Sequence, residues 1–297
     1  MALVHETDRT LAGPAAVAAL AGASAVLPDN EPTERALRDG EPAGDGDIVM
    51  LVGDAEIPAM MVHALAEKFG PVTVIQEEKQ PSSVMIKRRA KMLGPIQAFG
   101  QVGFGVLLKF LHKRADARKA EIVAEGGLST ERPASVTHHR VASVNDAACR
   151  TLILAADPKV IVLVGTRMVR AETLYCAKAP VINYHAGLNP TYRGMNGGYW
   201  ALAYGDVAGA GVTVHLVDEG VDTGKELYWT RFTPTPRDNF VTYPLLQAIA
   251  GRDLLIGAVR DALDGELKPQ DVRLRSAQWF HPTIWGYLWR GVVKGVW

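Results

Sequence analysis

Residues 181–227 read VINYHAGLNPTYRGMNGGYWALAYGDVAGAGVTVHLVDEGVDTGKEL, a stretch in which two apolar runs alternate with polar loops. The first run contains Asn183 and His185, which are two positions apart and therefore project from the same side of an extended strand. The second run leads into an acidic, glycine-rich loop that ends at Asp222. The pattern predicts that strand ends and loops present an amide, an imidazole and a carboxylate.

Apolar runs and helical patterns alternate on the N-terminal side of this stretch. Residues 47–52 (DIVMLV) and 72–75 predict strands, and residues 57–69 between them predict a helix with one apolar face. Residues 159–165 (KVIVLVG) are almost entirely apolar, which is typical of a strand buried on both faces of a parallel sheet. The β-α-β order predicts right-handed crossovers, and hence an α/β fold with a mostly parallel sheet.

Composition limits the classes of partner and location that we expect. The chain has 297 residues, 48% of them hydrophobic, and a formal net charge of +0 at pH 7. The neutral balance provides no overall attraction to nucleic acid, so we expect no nucleic-acid partner. Cys149 and Cys176 are too few for a disulfide framework or a zinc site, which favours a reducing cytoplasm and a protein without a metal.

The pattern divides the chain into three parts. Residues 1–45 are rich in Ala, Gly, Pro and acidic residues, which predicts a flexible or weakly ordered segment and allows a helix at 15–23. Residues 46–232 carry the strand and helix patterns, and we expect them to form the catalytic domain. Residues 233–297 predict a long helix followed by a short, tryptophan-rich C-terminal arm.

Residues 87–119 predict a helical insertion in the catalytic domain. One set of its residues recurs at helical spacing between basic ends: Met92, Ile96, Phe99, Gly103, Val106 and Phe110. Two interpretations stay open for the apolar side. It packs on its own domain or across a homodimer, or it lies in a membrane interface with its basic ends near the headgroups. Four roles stay open for the tryptophan-rich arm: it clamps the domain, forms a dimer contact, contacts a membrane or stacks on a substrate.

An amide, an imidazole and a carboxylate together suit the transfer of an acyl group to an amine. Attack by an amine creates an oxyanion, which an N–H of Asn183 and a proton from His185 can stabilise, and one such donor contributes about 3–4 kcal/mol. Asp222 can orient the imidazole or take a proton from the amine. The alternatives are a purely structural histidine and an aspartate that only shapes its turn. His215, in the middle of a strand, is expected to do no more than orient its neighbours.

The motif NYHAGLNPTYRG followed by GVTVHLVDEGVDTG resembles the folate-dependent formyltransferase family. The resemblance implies a Rossmann-like formyltransferase domain that uses 10-formyltetrahydrofolate as its co-substrate and needs no metal. It places Asn183, His185 and Asp222 at the catalytic positions. It also implies that two segments contact the pterin of the folate, and their residues are Arg167, Met168, Val169, Asp218, Glu219 and Gly220.

The acceptor that we expect is the primary amine of a small molecule, such as an amino sugar or a nucleotide-linked amino sugar. Tyr192, Arg193 and Asn196 follow the catalytic strand and are expected to meet this acceptor, although Arg193 has positioning of the loop as its alternative. Residues 53–59 (GDAEIPA) differ from the Gly/Ser-rich turn of glycinamide ribonucleotide formyltransferases, and residues 233–297 are short for the barrel domain of a methionyl-tRNA formyltransferase. Two further alternatives are hydrolysis of 10-formyltetrahydrofolate and a non-catalytic, membrane-associated binding protein of the same fold.

Overall fold

Continuous apolar runs build the centre of a seven-stranded sheet in the computed structural model, which describes residues 28–297. The strands, in chain order, are β1 (Ile48–Val52), β2 (Val72–Glu77), β3 (Val136–Val141), β4 (Val160–Val164), β5 (Val181–His185), β6 (Arg193–Gly194), β7 (Gly211–Leu216), β8 (Glu226–Arg231) and β9 (Gln278–Trp279). The sheet has the order β3-β2-β1-β4-β5-β7-β8, while β6 and β9 pair separately. Neighbouring strands from β3 to β5 run parallel, and β7 and β8 are antiparallel to their neighbours.

Helices cover both faces of this sheet. They are α1 (Glu34–Leu37), α2 (Glu56–Phe69), α3 (Ser82–Leu93), α4 (Pro95–Glu125), α5 (Ala147–Ala156), α6 (Ala171–Leu174), α7 (Gly197–Ala203), α8 (Tyr243–Leu263) and α9 (Ile284–Lys294). On β1, Ile48 and Met50 join a core with α2 and α8, whereas Val49 and Leu51 join a core with α5 and α6. The predicted α/β class with a mostly parallel sheet is confirmed.

A third, aromatic core ties the C-terminal segment to the domain built around the seven-stranded sheet. Trp279 stacks on Tyr192 and on Trp200 at ring-centroid distances of 5.7 and 5.1 Å, and Tyr287 packs against Phe104 of α4 at 5.0 Å. Aromatic rings bury much area each, so this cluster fixes the loop between β5 and α7 from one side. The part of the arm around Trp279 therefore clamps the domain.

The predicted insertion differs from the single helix expected over residues 87–119. It is a hairpin of α3 and α4, broken at Gly94, which has φ +87, and restarted at Pro95. Proline fits the first turn of a helix, where its missing N–H would have no partner, but it cannot continue the preceding helix. The apolar side with Ile96 and Phe99 does not pack on the domain, because both side chains are 75% exposed.

The described N-terminal residues also differ from the flexible segment predicted up to residue 45. The backbone N–H of Asn30 donates to the carbonyl of Trp229 in β8, and the N–H of Trp229 donates to the carbonyl of Asn30. The side chain of Asn30 donates to the carbonyl of Leu227 at 2.7 Å. Ala36 of α1 is fully buried, and α1 packs on α8. The free edge of β8 supplies the hydrogen bonds that order this segment. The helix predicted at 15–23 lies outside the described residues.

Candidate active site

The candidate site lies on the face of the sheet over β5, where a loop from β7 crosses it. Asn183 and His185 project on the same face of β5, as their spacing requires. Asp222, in the loop between β7 and β8, accepts a hydrogen bond from Asn183 Nδ2 at 3.1 Å, and its other carboxylate oxygen lies 3.4 Å from His185 Nδ1. The structure thus brings all three predicted residues into one contact group, while their catalytic roles stay predictions.

A polar partner at each of its two ring nitrogens fixes the orientation of the His185 ring. Its Nε2 lies 2.8 Å from the backbone carbonyl of Tyr192, which can only accept, so Nε2 carries a hydrogen. Its Nδ1 faces the carboxylate of Asp222. The ring is buried, with 5% exposure. Nδ1 is therefore the nitrogen whose proton can be exchanged beside Asp222.

His215 is a fourth member of the group, and sequence reasoning gave it only a minor part. It pairs with Asn183 across the β5–β7 ladder. Its Nδ1 lies 2.7 Å from the carbonyl of Leu216 and so carries a hydrogen, which leaves Nε2 to accept from Asn183 Nδ2 at 3.0 Å. The same Nε2 lies 3.5 Å from Asp222. The sequence signal was an isolated imidazole in an otherwise apolar strand.

Asp222 is held as a carboxylate by its surroundings. Burial alone would raise the pKa of Asp222, but the charge of His185 and the N–H of Gly194 lower this pKa below its usual range. The Gly194 N–H donates to Asp222 Oδ2 at 2.9 Å. Asp222 also has φ +50, a left-handed conformation that few residues other than Gly, Asn and Asp adopt. The loop backbone is therefore strained at Asp222, the residue that carries the negative charge.

The amide of Asn183 is fully engaged in this arrangement. One of its N–H groups points to Asp222 and the other to His215. An opposite amide orientation would place its oxygen against the Asp222 carboxylate, so the contacts fix the orientation shown. The predicted donation from Asn183 to an oxyanion therefore requires one of these two hydrogen bonds to be exchanged.

The first predicted folate segment is a loop fastened to the tips of neighbouring strands. Glu77 accepts from the backbone N–H of Arg167 at 2.6 Å and pairs with its guanidinium. The same guanidinium donates to the carbonyls of Glu78 and Ala142, so the side chain of Arg167 holds the loop. Met168 is exposed and Val169 is buried. Contact with a pterin through this backbone stays a prediction.

The second predicted folate segment is a self-contained turn. The side chain of Asp218 accepts from the N–H of Gly220 at 2.9 Å and from the hydroxyl of Thr223 at 2.6 Å. Asp218, Glu219 and Gly220 are all exposed. The Asp218 side chain thus shapes the loop that carries Asp222, and the contact of this segment with the pterin is untested.

The three residues expected to meet the acceptor have different positions. The ring of Tyr192 is 1% exposed and its hydroxyl donates to Asp206 at 2.8 Å, so the side chain belongs to the aromatic core and not to an open cleft. Arg193 donates to the carbonyl of Val221 at 2.6 Å, which matches the alternative that it positions the loop next to Asp222.

Asn196 is the most accessible of the three. It has φ +59 and its side chain contacts His281 Nδ1 at 3.0 Å. Burial, with a smaller contribution from the charge of Arg89, lowers the pKa of His281 to about 4, so a neutral ring accepts from the Asn196 amide. Contact of Asn196 with the acceptor stays a prediction.

Two other features lie outside this group. Among residues 28–297, no set of three or more His, Cys, Asp or Glu side chains is arranged to hold a metal ion. A cavity of about 450 Å³ is lined by residues of the N-terminal segment, β8 and α8, including Thr33, Tyr228 and Asp261. None of the site residues lines that cavity, so it is not the candidate site.

Gly187 is needed for the position of His185. A Cβ at Gly187 would lie 2.3 Å from the carbonyl oxygen of Tyr192 and 2.6 Å from His185 Nε2, the two atoms of the bond that orients the ring. We expect Gly187→Ala to lower the free energy of unfolding by about 1–3 kcal/mol, as overpacking does, and to impair turnover as well. Chemical denaturation of purified protein measures the first effect.

Gly105→Ala is the matched control for that substitution. Gly105 lies inside α4 with open space around its Cβ position. Alanine there should raise stability by about 0.5–1 kcal/mol, because glycine is a poor helix former. Equal stability of the two variants would contradict the role given to Gly187.

Fold and site together define an α/β domain in which an asparagine, two histidines and an aspartate cluster over the fifth strand. Residues 33–244, well over half of the chain, match the Formyl transferase family. The chain belongs to this family, and the family prediction made from the NYH and DEGVDTG motifs is confirmed.

Several individual proteins are similar to parts of this chain. The methionyl-tRNA formyltransferase of Synechocystis sp. (strain ATCC 27184 / PCC 6803 / Kazusa) is 30% identical over 149 residues, which are 50% of this chain and 43% of that protein. A 4-N formyltransferase from Francisella tularensis has a TM-score of 0.49 at 13% identity, covering 82% of this chain and 79% of that chain. The N-formyltransferase from Helicobacter canadensis, solved with folinic acid and dTDP-3-aminofucose, has a TM-score of 0.47 at 14% identity, covering 78% and 70%. The match to the first relative spans less than half of its length.

Proposed function

We propose that this protein transfers the formyl group of 10-formyltetrahydrofolate to the primary amine of a small molecule. The observation that carries the proposal is the contact group of Asn183, His185 and Asp222 in a chain of the formyl transferase family. A carboxylate with a lowered pKa is ionised at neutral pH, so Asp222 attracts an ammonium group. This electrostatic preference favours an amine over a neutral acceptor.

The site residues have two tasks in the reaction, which are to transfer protons and to stabilise the developing negative charge. Asp222 takes a proton from the incoming amine, directly or through water, so that the nitrogen has a free electron pair. Asn183 and His185 stabilise the negative charge that develops on the formyl oxygen as the new C–N bond forms. His185 Nδ1 returns a proton to the departing nitrogen when the old C–N bond breaks. An ammonium nitrogen loses two protons on becoming a formamide nitrogen: one passes by way of Asp222 and His185 Nδ1 to the departing N10, and the other goes to solvent. The products are a formamide, tetrahydrofolate and one released proton.

The two loops beside β5 suit a flat, polar folate ring. Residues 167–169 are fixed by Glu77 and by Asn145, which donates to the Met168 carbonyl at 3.0 Å, and residues 218–220 are closed by their own turn. Preordered backbone loops lose little entropy on binding. Bound 10-formyltetrahydrofolate would supply a formyl carbon that is activated as an amide of N10.

The acceptor proposed is an amino sugar or a nucleotide-linked amino sugar. The segment YRGMNGGYW, residues 192–200, supports this class by its resemblance to formyltransferases of polysaccharide and natural-product pathways. Asn196 within this segment offers a partly exposed amide beside the site. Cys149 and Cys176 are free thiols, which supports the cytoplasmic location proposed for the reaction.

Release of tetrahydrofolate tests the proposal. Purified protein is incubated with 10-formyltetrahydrofolate alone and then with panels of amino sugars, nucleotide-linked amino sugars and amino acids. We expect release only when an amine is present, with a preference of at least about tenfold for one class, equivalent to about 1.4 kcal/mol. Release without an amine would identify a hydrolase instead. No release with any amine would leave the proposed function without support.

A further inference from the structure

The outer sides of the insertion and of the C-terminal helix form one apolar surface. Fifteen of the twenty large apolar side chains that are exposed among residues 28–297 lie within residues 84–110 and 285–297. We call these two segments' solvent-facing sides the exposed apolar face. Contiguous apolar surface of this kind marks an interaction site in a folded protein.

The first half of α4 is apolar on two opposite sides. Ala98 and Phe104 point into the domain and are buried, with 3% and 1% exposure. Ile96, Phe99 and Val106 follow at helical spacing on the opposite side and are exposed. A helix that meets water on one side ordinarily carries polar residues there. The outward stripe is therefore not explained by the packing of this domain.

Helix α9 extends the same face. Tyr287 and Gly291 are its buried residues, while Trp289 and Val292 lie on its outer side. The helix approaches α4 so closely that a Cβ at Gly100 would lie 2.3 Å from the Trp285 ring. The outward sides of α4 and α9 are thus neighbours.

The exposed apolar face is surrounded by positive charge. Residues 79–115 contain eight Lys and Arg residues and residues 272–297 contain four, and neither segment contains Asp or Glu, although the whole chain has a net charge of +0. Lys87, Arg88 and Lys91 of α3 are exposed, and no ion pair within residues 28–297 includes them. Basic charge is therefore concentrated where the apolar residues are exposed.

We propose that the exposed apolar face binds the surface of an anionic lipid bilayer, with α3, the first half of α4 and α9 lying in the plane of the interface. The apolar side chains enter the boundary of the acyl chains while the Lys and Arg side chains reach the lipid phosphates. Tryptophans such as Trp285 and Trp289 suit this depth. Among residues 28–297, every helix is too short or too polar to span a bilayer.

The positive charge around the exposed apolar face distinguishes a bilayer from two other possible binding partners, a second copy of the chain and an RNA. A second copy of the chain would place basic residues against basic residues, with no acidic group in either segment to offset them. An RNA would satisfy the charges but would leave aliphatic side chains such as Ile96 and Val292 without an apolar partner. An anionic bilayer matches both properties.

Co-sedimentation of the full chain with vesicles tests this proposal. The vesicles are phosphatidylcholine alone and a mixture of phosphatidylcholine with phosphatidylglycerol. We expect the protein to bind the mixed vesicles at least about tenfold more tightly, and added salt to weaken the binding. Lys87→Glu with Arg88→Glu should reduce binding by about 10- to 100-fold. Phe99→Ser with Trp289→Ser should reduce it by about tenfold or more.

Matched variants at exposed positions away from the face keep the test specific. Leu154→Ser and Lys178→Glu should leave vesicle binding unchanged, and thermal unfolding shows that each variant is folded. Equal binding of both vesicle types, or binding that the face variants do not alter, would overturn the proposal. Two other results would also overturn the proposal if the protein does not bind vesicles. One is a dimer that Phe99→Ser dissociates, and the other is binding of the protein to RNA. Because the readout is binding, the result does not depend on the proposed activity.

Discussion

Asp222→Asn should reduce turnover by about 10²- to 10⁴-fold, the range that a positioned acid–base group contributes. Asparagine has nearly the same shape and accepts the left-handed backbone of position 222, so the fold should persist. It cannot take a proton and does not attract an ammonium group. Steady-state release of tetrahydrofolate measures the loss, which should lie mainly in kcat.

Asp157→Asn is the control for this substitution. Asp157 also has a left-handed backbone, with φ +49, but it ends α5 and does not contact the site. It should retain wild-type turnover. Full activity of the position-222 variant would remove Asp222 from the mechanism.

The lowered pKa of Asp222 adds a readout that is independent of turnover. A carboxyl whose pKa is lower in the folded state stabilises the fold above its unfolded pKa of about 3.9 and loses that contribution as the pH falls. The wild type should therefore exceed Asp222→Asn in unfolding free energy at pH 7 by more than it does near pH 3. Urea unfolding at both pH values measures the difference. A constant difference would contradict the charge interactions inferred for Asp222.

Substitutions of His185 should have an effect of similar size, and two of them separate its ring nitrogens. Glutamine can place its N–H near the former Nε2 and keep the bond to the Tyr192 carbonyl, whereas asparagine can place its N–H near Nδ1, toward Asp222. Neither side chain transfers a proton at neutral pH. We expect His185→Gln and His185→Asn both to lower kcat by about 10²- to 10⁴-fold.

Stability should distinguish the two His185 variants. His185→Asn leaves the buried carbonyl of Tyr192 without its donor, which costs about 1–3 kcal/mol, while His185→Gln should unfold close to the wild type. His63→Asn is the control and should keep wild-type turnover, since His63 also contacts a backbone carbonyl, through Nδ1, but lies on α2. An active His185→Gln variant would show that the imidazole is only structural.

The positions of Asn183 and His185 could be predicted because they depend on strand alternation alone. Their meeting with Asp222 followed from a resemblance, since no periodicity relates residues 39 positions apart. The burial of Tyr192 could not be read locally, because its neighbour Trp279 comes from the far C-terminal segment. The part of His215 was underestimated for a similar reason: the antiparallel register that sets it opposite Asn183 is a tertiary property.

The break in the insertion did have a local signal. Gly94 and Pro95 form a dipeptide that ends one helix and starts another, but the apolar spacing on both sides favoured one continuous helix. Spacing also could not tell which apolar side faces the domain. In α4 both sides are apolar, and only the packing of Phe104 against Phe240 and Tyr287 selects the inner one.

The residue at position 222 has to meet two independent requirements, one set by its left-handed backbone and one set by the chemistry of the cluster. The dihedral angle admits mainly Gly, Asn and Asp, while the chemistry of the cluster admits only a side chain that carries negative charge. Glutamate satisfies the charge but not the backbone. A saturation library at this codon should return several folded clones and a single active one.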